Sequence, residues 1–399
     1  MNVQSFVDSI AGAVRAQDGE AVADLMACDG AHAAQLAPRL RETRLPAAVA
    51  RLGKPWSDLA LQHLRVVELL HHSQVVEASS AQNSLAQSFY QLLVTQSNWC
   101  LPILYVVLRD LRALSIRADD ELVAAGQKSG HLEEAARTMN RAFSACATDR
   151  ASAADASRKW GTYFVVNILF KTYFKLNSTN LCSTVQRSLA SADLPEFTKF
   201  PMSHQVTFKF FSGVLAFFNE RHQAAVADLT FALEHSLPDP VNRRHILNYL
   251  IPSQLLLGVL PRAELLVKYP DLDRVYGEFV GAVRTGNVKR FDDTLVEKQS
   301  ELISRGTWLA IERTRFLVLR TLFRKVWILQ DKPTRIPMTV FEKALAISSG
   351  VTDCDLAEIE CFLAVMIDKG YLKGYLSHEK QTVVLSLKDA FPAIATVAQ

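Results

Sequence analysis

The stretch LAEIECFLAVMIDKGYLKGYLSHEKQTVVLSLK, residues 356–388, changes its period half-way and decides the fold of the C-terminal end. Its first half sets Leu356, Ile359, Leu363 and Met366 at three- and four-residue steps, which makes one buried helical stripe. Its second half alternates every two residues around the polar turn Ser377–Gln381. Val383, Leu385 and Leu387 point one way and Thr382, Val384 and Ser386 the other, as in a strand with one buried face. Upstream, TRIPM (334–338) predicts a short extended segment, and VFEKALAISS (340–349) predicts a helix that turns at Gly350. Before them a long helix is expected from about Gly306 to Gln330, carrying Trp308, Ile311, Phe316, Leu319, Phe323 and Ile328 and closed by Asp331, Lys332 and Pro333. Helix–strand–helix–helix–strand–strand is the order of a winged helix.

Outward from this end the period is helical throughout. KWGTYFVVNILFKTYFKLN (159–177) carries Trp160, Phe164, Ile168, Phe170 and Phe174 on what reads as one wide core stripe, ended by Asn177 and Ser178. LALQHLRVVELL (59–70), LPILYVVLRDLRAL (101–114) and HILNYLIPSQLLLGVL (245–260) repeat the pattern, with short breaks at Gly130, Pro195, Pro201, Pro238, Pro240, Pro261, Pro270 and Gly286. Helix after short turn after helix predicts stacked helical hairpins. One pair fits the tetratricopeptide spacing: Gly213, Ala225 and Ala232 keep its offsets, and Pro238 falls one residue late for the closing proline. The fold class is all-α: a helical-hairpin, tetratricopeptide-like solenoid followed by a C-terminal winged helix. N-terminal helical repeats are expected over 1–200, a second helical subdomain over 201–330 and the winged helix over 331–395.

Composition sets the outer limits. A hydrophobic fraction of 49% against 21% charged residues supplies a large core and argues against disorder. The formal net charge of +3 is too small to demand nucleic acid, so only its distribution can decide. Cys28, Cys100, Cys146, Cys182, Cys354 and Cys361 form no CxxC pair and read as small core residues of a reduced compartment. The N-terminus has an acid at Asp8 and no basic segment before an apolar run, so it reads as an amphipathic helix, not a signal peptide. The greasiest run, from Tyr249, is interrupted by Pro252, Ser253, Gln254, Pro261 and Arg262, short of the roughly 18 apolar residues a membrane span needs. A soluble, intracellular chain with no membrane contact is expected.

Enzyme motifs fail on spacing. GxxxxGK[ST], GxGxxG after a strand, HExxH and GxSxG are all absent. His71 and His72 are neighbours that a helix points about 100° apart, and His63 lies eight residues before His71 without nearby ligands. No metal, no cofactor and no catalytic residue are expected.

IECFLAVMIDKGYLKGYLS (359–377), an acid followed by an apolar helix, Gly and a first strand, resembles the end of the PCI domain of proteasome-lid, signalosome and initiation-factor subunits. Within that class, NWCLPILYVVLRDLR (98–112), SRKWGTYFVVNILFKTYFKLNSTNLC (157–182), LNYLIPSQLLLG (247–258), LFRKV (322–326) and the winged helix resemble the PCI domain-containing protein 2 family, subunits of a nuclear messenger-RNA export complex. The resemblance runs from about residue 95 to 395 and leaves the Ala-rich first 60 residues outside it; it makes 201–330 the PCI helical subdomain. It implies a large scaffold partner with its own PCI-like region, the two winged helices lying side by side. It also implies a small acidic disordered subunit held through that scaffold, nuclear-pore components as neighbours, and a joint surface for RNA or DNA without strong sequence preference. The localisation implied is the nucleus and its pores, with some cytoplasmic pool.

From Arg305 to Lys343 nine basic residues face only Glu312, Asp331 and Glu342, an excess that phosphates respond to through counterion release. The helix expected from Asp355 to Gly370 carries Asp355, Glu358, Glu360 and Asp368 against Lys369 alone. Such a helix repels phosphate and offers nothing for base edges. Nucleic acid is therefore expected at Arg324 and Lys325, at the connector Lys332 and Arg335, at Lys343, and at the wing Lys373, His378 and Lys380. Protein docking is the other use of this end. Strands expected over Tyr371–Tyr375 and Thr382–Leu387 leave an edge open, with Phe362, Tyr371, Tyr375 and Leu376 as anchors; the competing use of these side chains is to close the module's own core. Two alternatives to the export role stay open: a signalosome-associated or splicing-linked PCI relative, and a pure protein-interaction solenoid of the proteasome-lid kind.

Overall fold

The computed structural model describes residues 1–42, 45–150, 154–351 and 355–397, so Cys354 lies outside the described residues. The chain divides into two compact units, Met1–Phe211 and Ser212–Gln399, and the division falls inside the helix Met202–Phe218. In the first unit each helix packs on the next: Trp56–His71, Val75–Leu93, Leu101–Ala124, His131–Ala147, Thr162–Lys175 and Thr179–Ser191. Caps borrowed from neighbours hold the turns. The Asp119 carboxylate accepts from the backbone N–H groups of Gly130, His131 and Leu132, each at 2.9 Å, and so satisfies the start of the His131–Ala147 helix. Thr162–Lys175 differs from its expected single stripe. Tyr163, Val165, Val166, Leu169 and Phe170 are all buried, whereas Phe164 is only half-buried.

The second unit opens with the pair whose spacing matched the tetratricopeptide pattern. Ala225 and Ala232 on His222–His235 are fully buried, and a side chain on Gly213 would come within 2.7 Å of Leu229 Cγ. The crossing is close enough to require small residues, as the spacing predicted. Asp239 caps Pro240–Leu256 by accepting from the Val241 N–H at 2.9 Å. The long helix expected over 306–330 is two helices, Trp308–Arg313 and Arg315–Leu329. Between them the buried Thr314 hydroxyl donates to the Ile311 carbonyl at 2.6 Å, a local bond that competes with the helix ladder.

The winged helix follows as β1 (Arg335–Pro337), the helices Met338–Ser349 and Leu356–Asp368, β2 (Gly374–Ser377) and β3 (Thr382–Leu385). The three antiparallel strands lie in the order β1-β3-β2. Asp355 is the N-cap of the second helix, accepting from the Ala357 N–H. Three expectations need correction. The first wing strand starts at Gly374 and not Tyr371, because Gly370 takes a left-handed φ of 71° and the Leu372 N–H bonds back to the Met366 carbonyl at 3.0 Å. That turn folds Tyr371 and Leu372 over the helix end, where both are buried. The last strand ends at Leu385, and Leu387 is 89% exposed instead of facing the core. Cys361 is exposed, unlike the buried Cys100, Cys146 and Cys182. Among the described residues no helix is long and apolar enough to cross a membrane.

Candidate docking and nucleic-acid surface

Register fixes which wing side chains share a face. Arg335 lies opposite Val384, and Val384 lies opposite Tyr375, so these three form one row across the sheet. Ile336, Val383 and Leu376 form the next row and point to the other face. Ile336 and Val383 are fully buried, which makes theirs the core face. The Arg335–Val384–Tyr375 row is the outer face: Arg335 is exposed, Val384 half-buried and Tyr375 61% exposed. β2 and β1 are the two sheet edges among the described residues. The sheet thus brings one basic residue expected at nucleic acid and one aromatic expected at a partner onto a single surface.

The other expected anchors are used inside the module. Tyr371 is buried, and its carbonyl accepts from Arg320 Nε at 3.3 Å. It closes the core and is not available as an anchor. Leu376 is half-buried on the core face. Phe362 is half-buried too, edge-on to Phe316 at 6.3 Å and under the Arg315 guanidinium at 5.9 Å. Of the four residues expected to bind a partner, Tyr375 alone is exposed.

The basic excess also shrinks once the fold is in place. Arg305 pairs with Glu301, Arg313 with Glu220, and Arg315 makes a two-pronged pair with Asp292 at 2.8 and 2.9 Å. These acids lie outside the 305–343 window, so a count along the chain could not register them. Arg320 is buried, donating to the carbonyls of Tyr371 and Pro392. Burial first, and the charge of Arg324 second, push its guanidinium below the usual arginine range. Two of the wing residues expected at nucleic acid face acids as well. Lys373 pairs with Asp389 at 2.9 Å, and His378 Nδ1 meets both oxygens of Glu360 at 2.8 and 2.9 Å. The acidic helix therefore also holds the tip of the wing.

What remains is a set of exposed cations without a carboxylate partner among the described residues: Arg324, Lys325, Lys332, Arg335, Lys343 and Lys380. Lys325 Nζ donates to the Thr285 carbonyl at 2.6 Å and stays at the surface. Lys332 sits in a left-handed turn with φ 55°, its ammonium 6.0 Å from the Trp327 ring centroid. Apolar neighbours that the sequence assigned to no site stand beside them. Leu329 is 82% exposed at the end of its helix, and Ile347, four residues after Lys343 on the same helix face, is 85% exposed. Period alone could not separate Ile347 from the buried Leu345 in the run ALAI.

Stacked helical pairs that end in a winged helix define the class of PCI-domain proteins, whose members form complexes with other PCI-family subunits. The family model described as PCI domain matches residues 291–387. A CSN12 homologue from Mycosarcoma maydis is 38% identical over 100% of this chain and 99% of its own length. One from Schizosaccharomyces pombe is 38% identical over 86% of this chain and 84% of its own length. PCI domain-containing protein 2 from Xenopus laevis is 33% identical over 100% of this chain and 99% of its own length. The chain belongs to the family of the CSN12 homologues and PCI domain-containing protein 2. The full-length matches extend the likeness to the first 60 residues, which the sequence alone had left aside.

Proposed function

We propose that the chain is a non-catalytic scaffold subunit of a nuclear messenger-RNA export complex acting at nuclear pores, and that its winged helix is the working end. The outer row Arg335–Val384–Tyr375 beside the open β2 edge carries this reading, because it places an unshared aromatic where a second winged helix could lie alongside. The partner is a large chain with its own PCI-like region, and a small acidic disordered subunit joins through that chain. Nucleic acid contacts the exposed cations from Arg324 to Lys343 together with Lys380, through phosphates and without strong sequence preference, since the acidic Leu356–Asp368 helix offers no base-reading face. The test is Tyr375→Asp. The variant should lose the PCI-bearing partner on gel filtration while its helical circular dichroism stays that of the parent. A complex that survives the substitution places the contact elsewhere.

One observation favours a narrower role. Lys373 is paired with Asp389 and His378 is tied to Glu360, so neither side chain is free to meet a phosphate. On that reading the chain is a protein-docking subunit only, and its affinity for single-stranded RNA is absent or insensitive to salt.

A further inference from the structure

A second candidate site lies in the first unit, far along the chain from the winged helix and independent of the function proposed for it. Leu101–Ala124, Thr162–Lys175 and Met202–Phe218 border a cleft of about 350 Å³, within the usual range for small-molecule sites. Arg109 and Arg112 come from the first helix, Phe164, Asn167 and Lys171 from the second, and His204 from the third. None of the described residues lining the cleft is acidic. Arg109 is already shared with Asp110 at 3.3 Å and Asp29 at 3.7 Å. Arg112 and Lys171 have no carboxylate partner among the described residues; Arg112 Nη2 only donates to the Lys171 carbonyl at 3.2 Å. Desolvation first, and the charge of Arg112 second, push the Lys171 ammonium below the usual lysine range, although the side chain reaches the surface.

Three residues that line the cleft, on three different helices, each carry a buried polar atom without a partner: Arg112 Nε, Asn167 Oδ1 and His204 Nδ1. Asn167 is only 6% exposed, and its amide orientation is fixed because Nδ2 donates to the His204 carbonyl at 2.9 Å. Its oxygen therefore waits for a donor. The His204 ring is held edge-on between Tyr105 and Phe164, which stack on each other at 3.9 Å. Buried polar atoms are ordinarily hydrogen-bonded, and two adjacent cations without a counter-charge repel. One occupant answers both conditions. Donors arriving from separate helices suit the spread oxygens of a phosphate, the unpaired Asn167 oxygen suits a hydroxyl on the same molecule, and the Phe164 ring supplies an apolar wall. We propose that this cleft binds a phosphate monoester of a small hydroxylated molecule.

Isothermal titration calorimetry of the full chain tests this with glycerol 3-phosphate, inorganic phosphate and sodium sulfate. Saturable one-to-one binding of glycerol 3-phosphate, tighter than either inorganic ion, is expected. Lys171→Gln should weaken it roughly tenfold or more, the loss of one charge-assisted hydrogen bond, while Lys171→Arg keeps it. The unliganded Lys171→Gln protein should melt no lower than the parent, because a repulsion has been removed; at one ester concentration the parent and Lys171→Arg should gain more melting temperature than Lys171→Gln. No saturable heat from glycerol 3-phosphate overturns the proposal. So does equal affinity for sulfate, or unchanged affinity in Lys171→Gln.

Discussion

His63 is fully buried on Trp56–His71, stacked on Phe6 at 6.0 Å with the tilted His32 ring also at 6.0 Å, and neither of its ring nitrogens has a partner. Burial, and to a lesser degree the charge of His32, push its pKa down to about 3. In the unfolded chain the same ring titrates near 6.5. Between those values the unfolded state binds a proton that the folded state refuses, so stability rises with pH there and falls as the solution is acidified. The loss approaches about 1.4 kcal/mol per pH unit below about 6.5. Urea unfolding of His63→Leu should show a flatter dependence between pH 6.5 and 4.5, with a residual slope from His32, which burial also lowers. A parental slope in the variant would refute the assignment. The sequence showed this histidine in a helical run without nearby ligands but not its neighbours, Phe6 and His32, which come from distant helices. The same gap explains the cations: Arg313 and Arg315 were legible as charges, whereas Glu220 and Asp292 became their partners only through packing.

Elements were legible where one stripe meets one core. Met338–Ser349 and Leu356–Asp368 fall where their periodicity placed them, and Gly213 sits at the close crossing its spacing implied. The errors arose where a local hydrogen bond outweighed the pattern, at the Thr314 break and at the turn that carries Tyr371 and Leu372 away from β2. Gly374 escaped notice because its constraint is spatial. A side chain there would stand 2.2 Å from the Val384 carbonyl oxygen, a backbone atom that cannot rotate aside. Gly374→Ala must therefore part β2 from β3, at a cost of about 1–3 kcal/mol. Hydrogen-exchange mass spectrometry should find lost protection over Gly374–Ser377 and Thr382–Leu385 with the helices of both units unchanged. Since Tyr375 is presented by that pairing, the substitution should also release the partner as Tyr375→Asp does. Retained protection across β2 and β3 would show that the strands accommodate the methyl group.

At the scale of the whole molecule the net charge of +3 says little, and what matters is which cations the fold leaves unshared. Arg324, Lys325, Lys332, Arg335, Lys343 and Lys380 are exposed without a carboxylate partner among the described residues. Each phosphate contact on a single strand contributes about −0.7 to the slope of log affinity against log salt, so engagement of all six gives a slope near −4. Reversing Lys332, Arg335 and Lys343 to glutamate removes half of the contacts. The slope should fall to about −2, with the same loss for poly(U) and for mixed sequences, because phosphates carry no sequence information. Fluorescence anisotropy between 50 and 200 mM salt reads both quantities. A sequence-dependent loss would mean that bases are read somewhere, against the acidic character of Leu356–Asp368. A parental slope near zero would instead show that the pairing of Lys373 with Asp389 and of His378 with Glu360 is part of a wing turned over entirely to protein docking.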